Sequence, residues 1–95
     1  MPRLVFSPRA QADLEEIGDY IARNNPVRAI SFLDELQAHC MRVLTAPTAY
    51  PSREDAGRGI RVAVHGRYLI LFRASLDEVR IERVVHGARR LPRSS

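Results

Sequence analysis

The stretch "GRYLILFRASLDEVRIERVVHGARR", Gly66 to Arg90, decides how the rest of the chain is read. Two runs rich in β-branched, aliphatic and aromatic residues, Tyr68 to Ala74 and Val79 to His86, flank a turn at Ser75-Leu76-Asp77, the pattern of paired antiparallel strands. A third apolar run, Ile60 to Val64, precedes the turn His65-Gly66-Arg67, where Gly66 supplies the positive φ that a tight hairpin needs. The carboxyl-terminal half therefore reads as three consecutive strands and a basic tail, "ARRLPRSS".

Upstream, Ala46 to Gly59 ("APTAYPSREDAGRG") has proline, glycine and mixed charge but no period, and reads as an ordered or semi-ordered loop. Before it the period changes to that of helices. Ser7-Pro8 is a start signal, with Ser7 as N-cap and Pro8 at the first helical position. Leu14, Ile17, Gly18 and Ile21 then share one face, with Glu15, Glu16, Asp19 and Arg23 elsewhere, giving a helix over about 8–23. Asn24-Asn25-Pro26 repeats the signal. Asn25 caps a second helix whose apolar stripe is read as Ile30, Leu33, Leu36, Cys40, Met41 and Leu44, ending before Pro47. The short link makes the two an antiparallel hairpin. Arg3 to Phe6 adds one strand at the start. The expected fold class is α+β, in the order β-α-α-β-β-β, with the helical hairpin packed on one face of a small, mostly antiparallel sheet; residues 1–95 form a single domain.

Composition narrows the functions. The single cysteine, Cys40, cannot form an internal disulfide, no apolar segment is long enough to cross a bilayer, and no leader pattern is seen, so a cytoplasmic protein without a membrane role is expected. All 15 basic residues are arginine. Residues 1–50 carry net −1 and residues 51–95 net +5, so the basic field belongs to the strand half. Arginine's planar fork serves phosphate and carboxylate alike, so this field fits a polyanion or an acidic protein partner. No histidines have metal-ligand spacing, and Gly57 and Gly59 lack the Lys and Ser/Thr of a phosphate loop, so no metal or nucleotide cofactor is implied.

Strict alternation in the last strand puts Val79, Ile81, Arg83 and Val85 on one face and Arg80, Glu82, Val84 and His86 on the other. Arg83 then falls on the more apolar side. Either it lies at the sheet's end, or it pairs with a carboxylate such as an acid of the first helix, which is favoured because an unpaired buried guanidinium is costly. Arg73 poses the same problem one strand earlier. Metal-free RNA cleavage needs a base, an acid and cations at the phosphate. Arg61, Arg73 and Arg83 are the candidate cations and His86 the candidate proton carrier, with Tyr68 and Glu82 as substitutes. Tyr68 and Phe72 read as core rather than as stacking platforms for bases.

Three pieces carry a resemblance that covers Leu4 to Arg90: "A-x-x-D-L-x-x-I-x-x-Y-I" from Ala10 to Ile21, "G-R-Y-L-I" from Gly66 to Ile70, and "R-V-V-H-G-A-R" from Arg83 to Arg89. In this order they resemble the ParE branch of the RelE/ParE superfamily of toxins from bacterial toxin–antitoxin pairs. The resemblance implies a toxin that inhibits DNA gyrase and is neutralised by a ParD-like antitoxin in a hetero-oligomer, touching operator DNA only through that antitoxin. Target contacts would fall on Arg61, Arg83, His86, Arg89 and Arg90. RelE-type relatives are ribosome-dependent endoribonucleases, and for that alternative Arg61, Arg73, Arg83 and His86 would form the catalytic set, without the lysine-rich segment or terminal tyrosine of many such enzymes. A chain that serves only as co-repressor is the third reading.

Overall fold

The computed structural model describes residues 2–87. The elements run β1 (Arg3–Phe6), α1 (Pro8–Ala22), α2 (Pro26–Val43), β2 (Arg61–His65), β3 (Tyr68–Ala74) and β4 (Glu78–His86), with two short 3-10 turns in the loop, Pro47–Ala49 and Glu54–Ala56. Strand and helix ends move by one residue or so from those read in the sequence, as frayed ends do. The expected α+β architecture is the one found.

Both helix starts follow from their caps. The Ser7 hydroxyl accepts from the Ala10 N–H at 3.0 Å, and the Asn25 side chain accepts from the Arg28 N–H at 3.0 Å, each with proline next in the chain. These bonds satisfy donors that have no partner within the helix. The helices approach closely where Gly18 meets Leu33: a Cβ at Gly18 would lie 3.0 Å from the Leu33 Cδ1. A side chain there would push α1 off α2.

The sheet order is β1-β4-β3-β2. β4–β3 and β3–β2 are antiparallel, while β1 lies parallel to β4 with Phe6 opposite Ile81. His65 faces Tyr68 across a two-residue turn in which Gly66 has φ +58°, as the glycine predicted. One core lies under the helices, built from Ala10, Ile17, Leu36, Cys40 and Val43 against Ile70, Phe72, Val79, Ile81 and Val84. A second, smaller cluster of Ile60, Val62, Leu71 and Val85 lies on the opposite face, with loop residue Ala56 packed against it.

Two readings need correction. Alternation along β4 breaks at a β-bulge: Leu71 faces Arg83 while Phe72 faces Ile81, so Glu82 is the extra residue. Past a bulge every side chain changes face. Val79, Ile81 and Val84 therefore share the helix-side core, Val85 joins the opposite cluster, and Arg83 does not share a face with Val79 and Ile81. The α2 stripe is also rotated. Ile30 and Met41 are 67% and 55% exposed, whereas Ala29, Leu36, Cys40 and Val43 are buried. The true stripe steps through 29, 36, 40 and 43, so Ile30 and Met41 fall just outside it and face water.

Candidate functional site

The bulge creates a backbone problem, and α1 solves it. β1 pairs with β4 only as far as Ile81, so the outward groups of Glu82 and Val84 need other partners. The Ser7 N–H donates to the Ile81 carbonyl at 2.9 Å, and the Ser7 hydroxyl donates to the Glu82 carbonyl at 2.8 Å. Asp13, 8% exposed, accepts the Val84 N–H at 2.9 Å and takes Arg83 Nε at 2.8 Å and Nη2 at 3.1 Å. One carboxylate thus closes the strand edge and receives a two-pronged guanidinium, the strong geometry for this pair. Arg83 is the arginine paired with an acid of the first helix. Hydrogen bonding to Asp13 raises its pKa above the ordinary arginine value, although burial opposes this.

On the helix-free face lies a second, more exposed group. Arg73 Nη1 and Arg80 Nε both donate to Glu82, one to each carboxylate oxygen, and Arg73 Nε donates to the Arg58 carbonyl at 2.9 Å. Arg73 and Arg80 keep 46% and 40% of their side chains exposed. A cleft of about 490 Å³ opens there, lined by Arg9, Arg73, Arg80, Glu82 and Arg83.

His86 lines a different cleft, of about 990 Å³, which it shares with Asp13, Arg83 and Tyr68. It lies at the hairpin end of the sheet, its ring 5.3 Å from that of Tyr68 at 81°. Tyr68 packs against the main core and against Phe32 of α2, as core rather than platform. Beside Phe32, His39 and His65 meet Nδ1 to Nδ1 at 2.9 Å. That contact requires one ring to donate and the other to accept. Burial, then Arg42 and His65, lower the His39 pKa from its ordinary value. Burial pushes the Cys40 thiol up to about 11, which leaves it a small apolar core group at neutral pH.

Arg61 stands apart again, its Nη1 donating to the Tyr50 carbonyl at 2.6 Å. Of the four residues of the nuclease alternative, Arg73 and Arg83 line the cleft of about 490 Å³ and Arg83 and His86 line the one of about 990 Å³, but neither cleft holds all four and Arg61 lines neither. His86 pairs in register with Tyr68, and Arg73 lies five residues further along β3, roughly 16 Å at the usual rise of a strand. Arg89 and Arg90, the remaining expected target contacts, lie outside the described residues. Sequence reasoning missed Asp13 as the partner of the bulge, Arg80 as part of an arginine pair, and the His39–His65 contact. Among the described residues no three His, Cys, Asp or Glu side chains gather as a metal site would require, and no helix is long and apolar enough to cross a membrane.

A helical hairpin laid on one face of a β1-β4-β3-β2 sheet defines a two-layer domain of the RelE/ParE type. The family model of ParE toxins of type II toxin–antitoxin systems, parDE, matches residues 4–91, and the chain belongs to that family. A search of curated proteins by sequence gave no significant match. Among solved structures, the chromosomal ParDE TA system from P. aeruginosa is similar with a TM-score of 0.79 at 20% identity, covering 90% of this chain and 96% of that one. YafQ from E. coli strain BL21(DE3) is similar at 0.63 and 15% identity, covering 93% and 96%, and the E. coli DinJ–YafQ complex at 0.55 and 18%, with the same coverage. At such identities the likeness to these structures is one of fold.

Proposed function

We propose that this ParE-family toxin acts by protein contact, inhibiting DNA gyrase, and is neutralised by a ParD-like antitoxin. The observation that carries the reading is the division of the candidate catalytic residues between two clefts, with Arg61 in neither, set against the grouping of exposed arginines. Arg61 is tied to the loop backbone, Arg83 is spent on Asp13, and His86 sits against Tyr68 at the far end of the sheet. General acid–base cleavage needs its groups within hydrogen-bond reach of one phosphodiester. Contact inhibition needs only a presented surface, and Arg73 and Arg80 on the helix-free face supply one.

The antitoxin half of the proposal draws on the other layer. Tyr20, Val27 and Ile30 on the helical hairpin are 64%, 77% and 67% exposed, an apolar surface suited to an amphipathic segment. The family and the fold shared with the ParDE and DinJ–YafQ structures support a partner of this kind. Inducing the chain in cells tests the target. Stalled replication with a DNA-damage response is expected; immediate arrest of translation with cut messages, replication being untouched at first, would replace gyrase with the ribosome.

A further inference from the structure

We propose that the cleft on the helix-free face is a docking site for an acidic peptide segment of a partner protein, and that Glu82 fills it in the free chain as an internal stand-in for the partner's carboxylate. The proposal rests on the reading of this chain as a protein-contact toxin and names the chemistry of one contact.

The geometry starts from the bulge. As the extra residue of β4, Glu82 is turned toward Arg73 and Arg80, and its two oxygens each take one guanidinium. Only Nε of Arg80 is used; among the described residues its terminal nitrogens make no bond, and the side chain of Arg9 on the cleft wall makes none. Four arginines thus line a space that holds one carboxylate, since the Arg83 charge is already met by Asp13. The surplus is positive, and the donors are arranged for a planar two-oxygen acceptor, the group they already hold.

Two features select a peptide over a nucleic acid. Among the described residues no aromatic ring lines the cleft, so bases would find no stacking platform, and the remaining walls, Ser7, Pro8, Ala56, Ile60 and Leu71 with the methylenes of the arginines, suit aliphatic neighbours of an acidic side chain. The resident pair is also replaceable. Arg73 and Arg80 are 46% and 40% exposed while Glu82 keeps 21% of its side chain exposed, so the guanidinium side of the group is open to an incoming carboxylate that can replace Glu82.

Fluorescence anisotropy of the purified full chain tests this with three probes: a labelled peptide of alternating Glu and Ala, its Gln-for-Glu counterpart, and single-stranded oligouridylate. The acidic peptide is expected to bind with an affinity that falls as salt rises, and the Gln peptide not to bind. Glu82→Gln should tighten binding by about threefold or more, because the internal competitor loses its charge, and Arg80→Gln should weaken it about fivefold. Arg28→Gln, which disrupts an exposed pair on the helical hairpin, should leave it unchanged. Melting curves identify any variant that fails to fold, and Arg80→Gln at the exposed rim then carries the test alone. Tighter binding of oligouridylate than of the acidic peptide, or a Glu82→Gln chain that binds the peptide no better than the parent, overturns the proposal. Peptide binding by a chain that leaves gyrase untouched would keep the cleft and discard the target; gyrase inhibition unaffected by Arg80→Gln would do the reverse.

Discussion

Two arginine–carboxylate groups lie on either side of the same bulge, and they have opposite consequences. At the α1 seam, Asp13 is almost wholly buried and bonded to Arg83 and to the Val84 backbone, so removing it leaves a charge and an N–H without partners. On the helix-free face, Glu82 keeps 21% of its side chain exposed and holds two arginines that are 46% and 40% exposed and within reach of water. The chemistry is the same, and the greater exposure of Arg73 and Arg80 than of Arg83 separates the group available for recognition from the one that is architecture.

The sharpest way to break that contrast is Asp13→Ala. It should destabilise the chain by about 3–5 kcal/mol in urea unfolding, the usual result of taking one partner from a buried pair. A loss below about 1 kcal/mol would put Asp13 in the same class as Glu82. Leu36→Ala comes next, at about 2–4 kcal/mol, because its side chain is fully buried among core residues. Leu33→Ala should cost less, since Leu33 is only partly buried. Equal losses would mean that the α2 face is rotated back toward Ile30.

Ser7→Ala should cost about 1–2 kcal/mol, in the upper part of the range for lost caps, because its hydroxyl also holds the bulge carbonyl at Glu82. Glu82→Ala should shift the unfolding midpoint by less than about 1 kcal/mol. Acid should act at the other end of the sheet. With the His39 pKa lowered in the folded chain, the unfolded chain binds more protons below the ordinary imidazole value near 6.5, so stability declines as pH falls from there toward the lowered value. His39→Gln should flatten the melting profile below pH about 6.5; an unchanged slope would remove His39 from the account.

The two groups were not equally legible in the sequence. Caps, prolines and the Gly66 turn act over a few residues, so the element order could be read directly. Arg83 could be assigned a carboxylate from α1 because an unpaired guanidinium on an apolar strand is costly. The bulge could not be placed by period alone, since it depends on where β1 stops pairing with β4 and α1 takes over the edge. One trace of it stands in the sequence: Glu82-Arg83 puts two polar residues together between Ile81 and Val84, where strict alternation allows one. That doubled step also brings Glu82 to Arg80 and Arg73. The His39–His65 contact joins residues of α2 and β2 that the hairpin brings together only in three dimensions, and no local pattern announces it.

Action by contact and not by proton transfer is tested most directly by measuring inhibition of gyrase supercoiling by the purified chain and by His86→Ala. A contact inhibitor is expected to block supercoiling or trap cleaved DNA, with His86→Ala retaining most of that effect. Gyrase left fully active by the parent chain, together with ribosome-dependent cleavage of RNA that falls by about two orders of magnitude or more in His86→Ala, would contradict action by contact.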